Sequence, residues 1–241
     1  MKSWRSRLGL LVPAINCTME PTFYDYLPDG IAVHTARMGR HTMISDVDTN
    51  IRMLENAVSA AKLVAQCEPD FILLGCTTAT FVQGKGIDLN IGKELEKATG
   101  IPCSTTSTAV CAAFKALKVK KFSFIAPHLD EIVERAKVFF GDNGFEVIKG
   151  AGMAISDSMG IPAVKPEEIY RFIKQNYDPR SDAIFFNSTN SRSMDMVQII
   201  EEDLGIPVVT SNQASLWFVL RRLGFQVNLG VGKLFEKGLS D

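Results

Sequence analysis

Asp70-Phe-Ile-Leu-Leu-Gly-Cys76-Thr77 and Asp182-Ala-Ile-Phe-Phe-Asn-Ser188-Thr189 share one pattern, 112 residues apart. Each begins with an acid and runs through apolar residues without polar alternation. Each ends on a small or amide residue, a thiol or hydroxyl, and a threonine. A continuous apolar run suits a strand covered on both faces, as in a parallel sheet. Two further landmarks repeat in the same order. Leu8-Gly-Leu-Leu-Val-Pro13 matches Phe122-Ser-Phe-Ile-Ala-Pro127 at an offset of 114, and Gly100-Ile-Pro102 matches Gly205-Ile-Pro207 at 105. The first GIP leads into the hydroxyl run Ser104 to Thr108, the second into Thr210-Ser211-Asn212. One such pair is uninformative, but three in register indicate an internal duplication. The expected halves are 1–119 and 120–241, packed as pseudo-symmetric lobes, with the C-terminal segment free to cross back to the first lobe.

The rest of the chain supports the same architecture. Apolar runs at Leu8–Pro13, Ile31–Thr35, Phe71–Gly75, Phe122–Pro127, Phe145–Ile148, Ala183–Phe186 and Ile206–Thr210 read as strands. Between them Ile51, Leu54, Val58, Ala61 and Ala65 recur at helical spacing. So do Val110, Ala113, Phe114 and Leu117, and Ile169, Phe172 and Ile173 after Pro166. Strand and helix in alternation define an α/β fold. Here that means two lobes, each with a parallel four-stranded sheet and the active site in the cleft between them.

Composition excludes several classes. The 241 residues are 46% hydrophobic and 22% charged, with 26 Lys+Arg against 27 Asp+Glu and a net charge of −1. No bulk charge draws such a chain to nucleic acid or to an anionic membrane. No apolar run approaches the roughly 18 residues of a membrane span, and the start MKSWRSRLGLLVP reads as a first strand rather than a signal peptide. The expectation is a soluble, cytoplasmic protein. Five cysteines without C-x-x-C spacing suit a reducing compartment, and three histidines are too scattered for a metal cage. No GxGxxG or GxxxxGK[ST] pattern supports a nucleotide. The expectation is no metal and no cofactor.

Ligands of open α/β sheets bind beyond the carboxyl ends of the strands. There the sequence places Cys76-Thr77-Thr78 in one half and Asn187-Ser188-Thr189-Asn190 in the other. Cys76, after a buried strand and before residues rich in hydroxyl and amide donors, reads either as a reactive thiol or as a small buried hydrophobe. Cys67, Cys103 and Cys111 read as core, and Cys17 as a loop residue near the site. In the first loop Asn16 can donate an amide hydrogen to a carboxylate and Thr18 can cap the next helix. Arg37 and Arg40 follow the second strand, where they could clamp a carboxylate or lie on a solvated loop. His128 mirrors the first loop in the second half and either faces the cleft or caps a helix. Residues 150–162 read as a lid or a surface connection.

At these positions the chain resembles the aspartate/glutamate racemase superfamily, in the branch of maleate cis–trans isomerases and arylmalonate decarboxylases. LLVPAINCTME, residues 10–20, resembles the VPxxNxTxE signature of the isomerases, which places Asn16 on their substrate-binding asparagine. His34-Thr-Ala-Arg-Met38 and His41-Thr42 continue that likeness. ATGIPCSTTSTAV (98–110) and APHLDEIVERAKVFF (126–140) are closer to the decarboxylases. The resemblance implies two Rossmann-like lobes around a cofactor-free site. It puts Cys76 on the first of two family cysteines, and Thr77 and Thr78 on the hydroxyl pair that holds a carboxylate or enediolate. With Thr189 they complete the expected substrate-binding set.

Two departures matter: the second family cysteine is Ser188, and the tyrosine expected after Pro127, a donor to the substrate carboxylate, is His128. A racemase needs an acid and a base on opposite faces of one carbon. A thiol of pKa about 8.5 can serve as either, whereas an alkyl hydroxyl cannot. Racemisation is therefore disfavoured. Two one-cysteine routes remain on a small dicarboxylate substrate: addition of Cys76 to a double bond with rotation, or decarboxylation followed by protonation from Cys76. A catalytically silent carboxylate binder is the third reading. Nothing in the sequence speaks against a homo-oligomer.

Overall fold

The computed structural model describes residues 4–239. Among these residues eight strands form two four-stranded parallel sheets. The first has the order β2-β1-β3-β4, from β1 (Ser6–Pro13), β2 (Ile31–Met38), β3 (Phe71–Leu74) and β4 (Cys103–Thr105). The second repeats it as β6-β5-β7-β8, from β5 (Lys121–Ala126), β6 (Glu146–Gly152), β7 (Ala183–Phe186) and β8 (Val208–Thr210). The seven apolar runs are all strands, and the eighth strand is the short one after Gly100-Ile-Pro102. Leu8, Leu10, Leu11 and Val12 have no exposure, nor do Ile184, Phe185 and Phe186, because helices cover both faces.

Among the described residues ten α-helices accompany the strands. In the first half they are α1 (Met19–Tyr26), α2 (Val47–Met53), α3 (Ala57–Ala65), α4 (Ile87–Thr99) and α5 (Thr106–Ala116). In the second they are α6 (Asp130–Asp142), α7 (Gly160–Ala163), α8 (Pro166–Asn176), α9 (Val197–Leu204) and α10 (Ser211–Arg222). The last helix of each half leaves its own sheet. On α5, Phe114 packs its ring on Phe122 at 4.5 Å and on Phe185 at 5.8 Å, both on strands of the second sheet. On α10, Phe218 meets Phe71 of β3 at 6.3 Å. α5 and α10 also pack on one another. This exchange makes one apolar cluster continuous across both lobes, beside a second cluster confined to the first lobe.

Gly75 ends β3 under tight constraint. A Cβ there would lie 2.5 Å from Met19 Sδ and 3.1 Å from the Leu11 carbonyl oxygen. The missing side chain lets α1 sit against the strand end and delivers Cys76 beside the first loop. Among the described residues no helix is long and apolar enough to cross a membrane.

All five cysteines are free. Cys67 is exposed, against the expectation of a core position. It lies beyond the end of α3 in a turn, where its carbonyl accepts from Arg7 Nη1 at 2.8 Å. Cys103 and Cys111 are half-buried, and desolvation raises their pKa values to about 11 and about 12.

Candidate active site

A cavity of about 30 Å³ lies between the two sets of strand ends, room for roughly two waters. Cys76, Ser188, Asn16, Thr77, Thr78, His128 and Thr189 all line it. The structure therefore brings together every site residue expected from the sequence. Of the two arginines that could clamp a carboxylate, Arg40 lines the cavity and Arg37 does not, and the structure adds Ser45, Asn50 and Ser158.

Cys76 is almost fully buried. Desolvation raises its pKa, opposed by the Ala79 N–H at the sulfur, by the Arg40 charge and by the Thr78 N–H. Burial wins, so the group rests as a thiol. Its Sγ lies 4.0 Å from Asn50 Oδ1, which can accept the S–H, and Asn50 Nδ2 donates to the Asp46 carbonyl at 2.7 Å. Asn50 has no counterpart in the sequence reading because it sits on α2, away from any strand end.

The hydroxyl pair also has partners within the protein. Thr77 Oγ1 donates to Ser211 Oγ at 2.8 Å, which ties β3's end to α10. Thr78 Oγ1 accepts from Asn187 Nδ2 at 3.4 Å and lies 3.3 Å from His128 Nε2. Both hydroxyls hold the lobes together, so residue type at a strand end does not reveal which partner a threonine takes.

Asn16 carries out two tasks at once. Its Oδ1 accepts from the backbone N–H groups of Thr18 and Met19, at 3.1 and 3.0 Å, and so caps α1. Its Nδ2 donates to Thr189 Oγ1 at 3.1 Å, and Thr189 donates on to the Gly75 carbonyl at 3.1 Å. Thr18, expected to cap this helix through its side chain, instead donates to the Thr189 carbonyl at 2.9 Å. Cys17 is exposed and its N–H donates to Asn190 Oδ1 at 2.9 Å. Ser188 Oγ accepts the Asn190 N–H at 3.1 Å, leaving its own O–H as a donor.

His128 does not cap α6. It is buried, with Nδ1 3.4 Å from Ser45 Oγ. Desolvation lowers its pKa to about 4, helped by the Arg40 charge. The imidazole is therefore neutral at neutral pH. Arg37 pairs with Glu20 at 2.8 Å and donates to the Asn16 carbonyl at 2.6 Å, which stiffens the first loop.

Arg40 instead enters the cavity wall, because two loops close over it. Ser45 N–H donates to the Ser156 carbonyl at 2.8 Å and Ser158 N–H to the Met43 carbonyl at 2.9 Å. Ile44 and Asp157 form the antiparallel bridge between them. The 150–162 stretch is thus partly β6 and partly a cover over the site. Among the described residues no cluster of three His, Cys, Asp or Glu is placed to hold a metal.

A family model described as arylmalonate decarboxylase matches residues 8–235. The arylmalonate decarboxylase of Bordetella bronchiseptica is 24% identical over 77% of this chain and 79% of its own length. A maleate isomerase from Pseudomonas putida S16, a cysteine-to-alanine variant solved with maleate, superposes with a TM-score of 0.92 at 22% identity, covering 98% of this chain and 99% of that one. A cysteine-to-serine mutant of the Nocardia farcinica maleate cis–trans isomerase, carrying a covalently bound succinylcysteine intermediate, superposes at 0.89 with 20% identity, over 95% and 98% of the two chains.

Proposed function

We propose that this chain, which belongs to the arylmalonate decarboxylase family, is a cofactor-independent isomerase of a small dicarboxylic acid with Cys76 as its nucleophile. The observation that carries the reading is the seating of Cys76. It shares a small cavity with Ser188, where the Ala79 and Thr78 N–H groups and the Arg40 charge favour its thiolate against desolvation.

In this reaction a cis-butenedioate enters and Cys76 Sγ bonds to one carbon of the double bond. The π pair moves toward the other carbon and its carboxylate as an enediolate, and the thiol proton ends on that carbon. The former double bond is now single and rotates. Loss of the same proton and expulsion of the sulfur then give the trans isomer. Atoms and electrons balance without any co-reactant, and the resting thiol supplies the proton that the adduct needs. The Nocardia relative holds a succinylcysteine of this kind. Ser188 offers a neutral hydrogen bond to a carboxylate oxygen, a contribution of roughly 1–3 kcal/mol.

The high pKa of Cys76 also favours a second reading. A thiol is the form required to protonate the enediolate left by decarboxylation of a malonate-type acid. Proton NMR of the purified protein with maleate, and separately with phenylmalonate, decides between them. The isomerase reading expects the maleate vinyl signal to pass to that of fumarate, and phenylmalonate to persist. Conversion of phenylmalonate to phenylacetate with maleate untouched overturns it. No turnover of either acid favours the silent binder.

A further inference from the structure

The cavity wall contains two donors that the chemistry above does not use. Arg40 Nε and Ser158 Oγ are both buried, and neither has a hydrogen-bond partner among the described residues. Both residues line the cavity. They come from opposite lobes: Arg40 lies two residues beyond β2, and Ser158 lies on the cover that follows β6. The Ile44–Asp157 bridge brings the two loops together.

Buried polar atoms without partners are rare in folded proteins, and each calls for a physical reason. The guanidinium is anchored but not neutralised. Arg40 Nη2 donates to the Ile44 carbonyl at 2.8 Å, which fixes its place in the wall. Among the described residues it has no carboxylate within ion-pair distance. The ionisable groups whose charge it feels are Cys76, which rests as a neutral thiol, and then Asp46, which accepts the Thr49 N–H at 2.8 Å as the cap of α2. A half-buried cation without a counter-ion is unfavourable unless something anionic joins it. The missing partner must accept hydrogen bonds from a guanidinium and a hydroxyl, and must carry negative charge.

We infer that Arg40 and Ser158 form the subsite for the second carboxylate of the substrate, on the cover side of the cavity. This assignment rests on the dicarboxylate reading above and sharpens it. A carboxylate paired with guanidinium is stabilised in its ionised form. Such a clamp opposes loss of that group as carbon dioxide, where its charge must move onto carbon. Isomerisation leaves both carboxylates intact and is compatible with the clamp throughout. The substrate class is therefore a compact dianion, and Arg40 is a specificity residue for it.

Isothermal titration of the intact protein with succinate and with butyrate at neutral pH tests the subsite. The two probes match in chain length and differ by one carboxylate. Succinate should bind at least about tenfold more tightly to the wild type. Arg40→Gln should bring succinate to the butyrate level while leaving butyrate unchanged. Arg40→Lys should retain part of the difference, and Ser158→Ala should lose less of it. A purely structural role for Arg40 would weaken both ligands together, so the ratio is the decisive quantity. If Arg40→Gln does not fold, the lysine and Ser158→Ala variants test the subsite through their smaller losses in that ratio. Equal affinities in the wild type, or a ratio untouched by these variants, overturn the subsite alone. Failure of both acids to bind removes the proposed function as well.

Discussion

The two lobes repeat a backbone and differ in what they carry at its ends. β3 ends in Gly75-Cys76, and its counterpart β7 ends in Asn187-Ser188. β1 runs into Pro13-Ala14, and β5 into Pro127-His128. Strand order is the same in both sheets and β1–β3 pairs in the register of β5–β7, while a bulge at Phe122/Ser123 shifts β5 against β6 with no equivalent between β1 and β2. The acids that open β3 and β7 also hold the same place. Residues that set the sheets match between the lobes, while residues that face the cavity differ. The first lobe brings a thiol and a cation, the second a hydroxyl and a neutral imidazole. Two sheets of one topology thus give an asymmetric site, with one reactive group on one face only.

The sharpest expression of that asymmetry is the pair Cys76 and Ser188. Cys76→Ala should lower turnover of the accepted dicarboxylate by at least about 10³-fold, roughly 4 kcal/mol, since no other thiol lines the cavity. Ser188→Ala should cost roughly 1–3 kcal/mol, the range for one neutral donor. Steady-state kinetics of the two variants gives the comparison directly. If Ser188→Ala is as inactive as Cys76→Ala, the lobes share the chemistry and the one-cysteine route is wrong.

Much of this was legible in the sequence, for definite reasons. Strands covered on both faces read as unbroken apolar runs, and the duplication placed Cys76 and Ser188 at matching strand ends. The path of α5 and α10 was not readable, because an apolar helix face does not say which sheet it covers. Phe114 belongs to the first half by chain and to the aromatic core of the second sheet by contact. Arg40 carried a signal, two arginines after a strand, but a loop residue becomes part of a site only when another loop covers it. Asn50 and Ser45 carried none, since they reach the cavity from the connection after β2. Cys67 was misplaced by a single turn at a helix end.

His128 tests the asymmetry next, because its counterpart Ala14 cannot titrate. Its folded pKa is lowered to about 4, first by desolvation and then by the Arg40 charge. An unfolded histidine titrates near 6.5. The unfolded chain therefore binds this proton first, and stability falls as pH drops from about 6.5 to about 4. A shift of that size is on the order of 3 kcal/mol for a group so buried. Urea midpoints across this window should slope for the wild type and much less for His128→Gln. Equal slopes would mean that His128 charges in the folded state, and that the neutral imidazole assigned to the site is wrong.

The smallest effect belongs to the feature the lobes still share. Asp70 Oδ2 accepts from Ser6 Oγ at 2.6 Å and from the Arg7 N–H at 2.8 Å, where β1 begins. Asp182 Oδ2 accepts from the N–H groups of Lys120 and Lys121, at 2.9 and 3.0 Å, where β5 begins. The Ser6 hydroxyl and the Arg7 N–H lower the pKa of Asp70. At Asp182 desolvation pushes upward, and the two N–H groups outweigh it. Both folded pKa values are thus depressed, so this stability is present above the ordinary carboxylate range near pH 4 and is lost on acidification below it. That window lies beneath the histidine window, which keeps the two effects separable. Both acids are exposed, and water screens what the hydrogen bonds contribute. Asp70→Asn and Asp182→Asn should each lower stability by about 1 kcal/mol at neutral pH, and by nearly equal amounts. Urea unfolding of the two variants measures this. A large effect at one aspartate and none at the other would show that the lobes have diverged in their scaffold as well as in their site.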